Sequence, residues 1–265
     1  MDASDFFVDS RDQLHLFLTA DKTSSSGEGV VHLYMDEDGW QSVYWTGKRA
    51  RACAYVDADI DNKGRIHLVC IGPDFKISGD LNSVFYTHSD DAGNSWAPAK
   101  RISLSKQNQA SSPDLMIAPD GRIHLLWAKN LSGGFMPQTI FHTFSDDNGE
   151  SWREPTNLKT DYQPITYDCV MDSTGNLHMV YATPIMPPEV IEKSTFYTHW
   201  NGSEWVEFEP IVHSGFFLNF SSELLKTNEG KLYMTARQYN ADNWQEKEYN
   251  PKLEQAVYLT KQLYQ

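Results

Sequence analysis

An acidic residue recurs along this chain at near-constant intervals: Asp5, Asp57, Asp114, Asp168 and Glu223 are separated by 52, 57, 54 and 55 residues. Each stands ten residues ahead of a ring, namely His15, His67, His124, His178 and Tyr233. Carboxylates gathered around one axis repel if all are ionised, so either some keep a proton through a raised pKa or a cation sits among them. Retained protons suit acid/base work. Breaking a glycosidic bond takes one protonated carboxyl as acid and a second carboxylate as base or nucleophile. The repetition also has a plainer reading, because an acid inherited by every copy of a duplicated unit can simply hydrogen-bond the backbone of the next unit. The recurring histidines are read as structural. They fall in alternating strands, where imidazole bridges one strand to the next, and their spacing does not gather them as metal ligands.

A repeated hairpin positions these groups. Arg65-Ile66-His67-Leu68, Arg122-Ile123-His124-Leu125 and Asn176-Leu177-His178-Met179 are copies of one strand, and Asp120-Gly121 is the turn signal before the second of them. A third strand follows each copy, as in Val84 to His88 and Thr195 to His199, and a short fourth strand follows in four of the five. Antiparallel strands in fours at a period of roughly 55 residues are the arithmetic of a propeller blade. The predicted fold is one all-β domain over 1–265, a five-bladed β-propeller of four-stranded antiparallel blades at about 1–47, 48–104, 105–159, 160–212 and 213–265. The last blade has no residues left for an outer strand. Its bare edge suggests a three-stranded closing blade, a piece of a longer chain, or pairing with a second copy in a homo-oligomer. The acids fall where the first strands leave the face that carries the blade crossings.

Two segments, Ser89-Asp90-Asp91-Ala92-Gly93-Asn94-Ser95-Trp96 and Ser145 to Trp152, fit the pattern Ser-x-Asp-x-Gly-x-x-Trp. On these Asp-boxes the chain resembles the sialidase-like (BNR-repeat) β-propellers, and Met35 to Trp40 and Trp200 to Trp205 resemble eroded copies. The resemblance implies scaffold roles for Asp91 and Asp147, with the Trp plugging the sheet behind. Sialidases of this type use three arginines, a Tyr-Glu pair and an Asp, and carry an Arg-Ile-Pro motif. This chain has no Arg-Ile-Pro, so classical sialidase activity is not expected. In the placement of acids on first strands the chain is also similar to five-bladed arabinanase-type furanosidases, with Asp114, Asp168 and Glu223 at comparable positions, although those enzymes lack Asp-boxes.

The leading expectation is therefore a glycoside hydrolase with Asp114 and Asp168 as catalytic pair, tuned by Glu223 or Asp57. Arg49, Arg51, Tyr167, Arg237, His213 and Asp5 would contact the substrate, beside aromatic residues of the long loops. A lectin and a protein-interaction scaffold are the rival readings. No cofactor or dedicated metal site is expected beyond a cation in the carboxylate-lined channel. A formal charge of −14 argues against nucleic acid and anionic membrane as partners and is compatible with a glycan or another small molecule. No apolar run is long enough to span a bilayer, and Met1 to Asp5 is not a signal peptide, which leaves a cytoplasmic protein or a mature secreted domain. Cys53 and Cys70 lie on the two arms of one hairpin and could face each other, while Cys169 has no obvious mate. Three cysteines without a framework are expected as reduced, buried thiols.

Overall fold

The computed structural model describes residues 4–20, 29–45, 53–74, 77, 82–103, 110–130, 138–160, 162–183, 195–211, 217–227 and 231–240. Every regular element among them is a β-strand, and no helix there is long and apolar enough to cross a membrane. The chain divides into two compact units, 1–134 with 140–157 and 135–139 with 158–265.

The first unit holds three four-stranded antiparallel sheets. They comprise β1 (Ser4–Val8), β2 (Leu14–Ala20), β3 (Gly29–Asp36) and β4 (Gly39–Trp45); β5 (Ala54–Ile60), β6 (Ile66–Gly72), β7 (Ser83–Ser89) and β8 (Lys100–Arg101); and β9 (Ala110–Ile117), β10 (Ile123–Asn130), β11 (Gln138–Ser145) and β12 (Thr156–Asn157). The second unit holds a fourth such sheet of β13 (Thr166–Met171), β14 (Leu177–Ala182), β15 (Thr195–His199) and β16 (Glu209–Ile211), and the pair β17 (Phe217–Lys226) and β18 (Leu232–Asn240). Strand order follows chain order in each, so every connection is a hairpin. Such sheets are the blades of a β-propeller.

Local chemistry fixes the hairpins. In the β1–β2 turn Asp9 Oδ1 accepts from the N–H of Arg11 at 2.8 Å and of Gln13 at 2.9 Å. Asp61 repeats this for Lys63 and Arg65, and Asp172 for Thr174 and Asn176. The third sheet has Ala118 at this position; its turn is held by Gly121 N–H to Ala118 C=O at 2.8 Å and by Arg122 N–H to Asp120 Oδ1 at 3.0 Å. Second strands are the most apolar. β6 is buried at every residue, which its Ile, Leu and Val content suits. The core fills the gaps between sheets. Phe17, Val56, Leu68 and Phe85 pack between the first and second, Val69, Tyr86, Leu115 and Leu125 between the second and third. In the second unit Val180, Tyr197, Leu224 and Met234 form the equivalent cluster. Cys53 and Cys70, expected as reduced thiols, are instead joined by a disulfide, because the β5–β6 pairing brings their Cα atoms to 5.6 Å. Cys169 sits half-buried on β13.

The Asp-boxes are closed polar turns. Asp91 accepts from Ser89 Oγ at 2.8 Å, Ser95 N–H at 2.7 Å and Ser95 Oγ at 2.6 Å, and Asp147 makes the same three bonds with Ser145 and Ser151. The box tryptophans do plug a sheet, but it is the preceding one: Trp96 meets Phe17 and His32 edge-on, and Trp152 lies 5.0 Å from the Tyr86 ring. Gly93 and Gly149 adopt φ of 86° and 80°. A Cβ at Gly93 would collide with the His32 ring, and one at Gly149 with the Tyr86 phenol. Gly121 has a similar φ of +89° with nothing within 4 Å of its Cβ direction. Gly121→Ala should therefore cost only the left-handed backbone penalty, about 1–2 kcal/mol. Gly149→Ala adds overpacking against Tyr86 and should cost about 2 kcal/mol more. Denaturant midpoints of the two variants measure this directly, and equal losses would show that the contact with Tyr86 contributes nothing.

Candidate functional site

First strands of successive sheets lie against one another, β1 on β5 and β5 on β9 in the first unit, β13 on β17 in the second. The recurring acids tie them together. Asp5 Oδ2 accepts from Ala58 N–H at 2.9 Å, Asp57 Oδ2 from Leu115 N–H at 2.5 Å, and Asp168 Oδ2 from Leu224 N–H at 2.6 Å. In each case the donor is the residue immediately after the next acid of the repeat. Asp59 adds a second tie, with Oδ2 on Ile117 N–H at 3.2 Å and Oδ1 on Ile60 N–H at 2.8 Å. One oxygen of each of these carboxyls is thus a strut between blades.

Packing the struts side by side crowds the acids of the first unit. The carboxyl groups of Asp5 and Asp57 each bias the other's ionisation. Burial pushes the Asp57 carboxyl well above the ordinary range, and the negative charges of Asp114 and Asp5 push it further. Asp5 is raised too, mainly by burial. The pair holds a proton to higher pH than solvated carboxylates would, as two carboxylates in contact cannot both ionise cheaply. Burial also raises Asp59 to about 6.

The structure thus gathers Asp5, Asp57 and Asp114 within one unit, all on first strands. In the other, Tyr167 and Asp168 are neighbours on β13, opposite Tyr181 and Val180. Glu223 stands on β17 opposite Thr235, and Arg237 on β18 opposite Ser221; both side chains lie outside the described residues. So do Arg49, Arg51 and His213 altogether. Among the described residues no three His, Cys, Asp or Glu side chains group as metal ligands.

The recurring histidines bridge second to third strands. His15 Nδ1 bonds His32 at 2.9 Å and His124 Nδ1 bonds His142 at 2.9 Å, while His67 and His178 bond the hydroxyls of Tyr86 and Tyr197 at 2.7 Å. All four are buried. Burial lowers His67 and His124 to about 4, so both are neutral at pH 7.

One feature of the site is invisible in the repeat pattern. The register of β5 slips between Ala54 and Val56, that of β9 opposite Leu126 to Ala128, and that of β17 between Asn219 and Ser221. β1 and β13 pair without a slip. The bulges hold two non-glycine residues in left-handed conformations, Tyr55 at φ 55° and Ser112 at φ 47°, each two residues before its acid. Pro113 was a signal for one of them, since a proline inside a strand is admitted at a bulge. Nothing in the sequence marks Tyr55.

Residues 83–249 match the family described as BNR repeat-like domain. No curated protein matches the chain, whereas many solved structures do. A protein of unknown function from Dyadobacter fermentans is similar at a TM-score of 0.63 and 12% identity, over 92% of this chain and 80% of that one. An α-L-arabinanase from Penicillium chrysogenum, complexed with arabinobiose, is similar at a TM-score of 0.60 and 13% identity, over 90% and 72%. An ulvan lyase bound to -[GlcA(1-4)Rha3S]- is similar at a TM-score of 0.59 and 13% identity. This chain spans 64% of that lyase's length, with 90% of its own residues covered. At these identities the likeness establishes a shared fold, and a hydrolase and a lyase share it.

The burial of Asp59 predicts a pH effect on stability. An unfolded Asp59 loses its proton near 3.8 and the folded one at about 6. Between these values the folded state binds more protons, so stability falls as pH rises through the window. Asp59→Asn keeps an oxygen for one of the two N–H bonds and does not titrate. Its unfolding free energy relative to wild type should therefore improve by about 2 kcal/mol between pH 4 and 7. Denaturation at several pH values checks this, and a difference that stays flat refutes it.

Proposed function

The chain belongs to the BNR repeat-like domain family, and on that footing we propose that it acts on carbohydrate, as a glycoside hydrolase using first-strand carboxylates. The observation that carries this reading is the set Asp5, Asp57 and Asp114 on first strands tied to one another, where burial and like charge raise Asp57. Hydrolysis of an acetal needs a carboxyl that is still protonated near neutral pH together with an ionised one, and neighbours in which burial and like charge separate the two states supply both. Asp57 then serves as general acid, with Asp114 as base or nucleophile. Asp5 shares the proton of Asp57. Asp168, the partner of Asp114 on the sequence reading, lies with Tyr167 and Glu223 in the other unit. A retained proton suits donation to a leaving oxygen better than the proton abstraction of a lyase, and the net charge of −14 disfavours a uronate-rich polymer.

A specific observation favours a second reading. Asp5, Asp57 and Asp168 each have one oxygen committed to a backbone N–H, which suits a binding propeller whose acids hold the channel or a cation. A panel of chromogenic glycosides alongside a glycan array, each with and without chelator, separates the two. Asn can keep the strut, so Asp57→Asn, Asp114→Asn and Asp168→Asn should fold normally by circular dichroism. On the hydrolase reading Asp57→Asn and Asp114→Asn lower turnover by about 10²–10⁴-fold. Glycan binding without turnover makes the protein a lectin, and full turnover by Asp57→Asn removes that residue from the mechanism.

A further inference from the structure

We propose that the bulge in β5 holds Tyr55 as the stacking platform for a sugar ring at the carboxylate mouth, with Ser112 of the β9 bulge on the same binding edge. The inference rests on the carbohydrate reading above and names a residue that the repeat pattern does not.

Four observations converge on Tyr55. Its φ of 55° is a conformation that aromatic L-residues avoid, and Ser112 at 47° repeats it on the strand alongside. Asp57 and Asp59 tie those two strands together through the N–H groups of Leu115 and Ile117, so the bulges lie on the tied pair β5 and β9. The repeat does not require the bulges, because β1 and β13 carry the same acid on regular strands. Nor does packing account for the ring. Tyr55 is 41% exposed, whereas Tyr86 and Phe85 of the same sheet are at most 1% exposed.

The position suits the chemistry. Tyr55 stands two residues before Asp57, so their Cα atoms are at most roughly 7 Å apart. A sugar resting its apolar face on the phenol would thus have its linkage oxygen within reach of the neighbouring acid. An aromatic ring with a polar tip, next to a few fixed polar groups, is the usual lining of a sugar site. An extra residue in a strand is a device for re-aiming one side chain, and here the re-aimed side chain is the exposed one.

The test uses Tyr55→Gly and Tyr55→Asn, both of which tolerate positive φ without a ring, and Tyr55→Phe, which keeps the ring. The probe is an array of arabino-oligosaccharides, other neutral oligosaccharides and uronate-containing oligosaccharides, with titration of whichever sugar the wild type binds. The expected result is a Tm within about 2 °C of wild type for all three variants. Gly and Asn should weaken binding at least tenfold, while Phe stays within about threefold. Equal binding by wild type and Tyr55→Gly would overturn the platform and leave the carbohydrate reading intact. A large fall in Tm for both Gly and Asn variants would make Tyr55 a packing residue and also overturn it. A wild type that neither binds nor turns over any sugar would overturn the carbohydrate reading and the platform with it.

Discussion

The structure depends on one interaction, a carboxylate on the first strand of one blade accepting an N–H from the first strand of the next. First strands are sheet edges, and an edge pressed against its neighbour would bury backbone donors that no ladder satisfies. A side-chain acceptor of fixed reach solves this, and an ionised one bonds more strongly than an amide. The strut must be short and must recur at one depth, which is why Asp serves at positions 5, 57 and 168, each bonded to the residue after the next acid. The same demand forces the acids together. Struts at one depth around converging strands bring like charges into contact, and the Asp5–Asp57 pair responds by holding a proton. The structural and chemical readings of the repeat are therefore not rivals at the level of atoms. One oxygen is committed to the scaffold, and the other can exchange a proton.

The boxes show the opposite use of the same side chain. Asp147 is exposed and is held at about 2 by the hydroxyl and N–H of Ser151 and the hydroxyl of Ser145. Nothing competes with its ionised form, so it is a permanent acceptor and unsuited to proton transfer at neutral pH. Burial with like charge raises one set of aspartates, and donors without burial lower the other. Between them lie the buried rings. His15 with His32 and His67 with Tyr86 bridge adjacent strands, and Gly93 and Gly149 approach those rings too closely for any side chain. The first sheet is thereby fastened to the second, and the second to the third, twice: by carboxylate struts near the first strands and by glycine-on-ring contacts at the boxes.

Much of this was legible in the sequence because its determinants are local. The period, the hairpin strands, the two boxes and the strand-bridging role of the histidines follow from residue type and spacing. The strut was legible only as one of two readings, since spacing cannot tell whether a carboxylate meets an amide or a substrate. What escaped depends on contacts between segments. The Cys53–Cys70 disulfide needs the β5–β6 pairing, and the sheet that Trp96 covers is decided by how blades stack. The bulge at Tyr55 is a register event with no residue signature, whereas Pro113 announced its counterpart. Arg49 and Arg51, expected at the mouth, lie outside the described residues.

A duplicated scaffold makes its acids equivalent, and catalysis or selective binding needs them unequal. In this chain the inequality is concentrated at β5 and β9. Asp57 is raised by the charges of two acids, Asp114 and Asp5. Strain at positive φ appears on β5 and β9 and not on β1 or β13. The turn below β9 carries Ala118 where the first, second and fourth sheets carry Asp9, Asp61 and Asp172, whose carboxylates face His15, His67 and His178. None of these departures improves the strut that the fold requires, and the positive φ values work against stability. The copies of the repeat are thus unequal in structure although they share one acid and one strut.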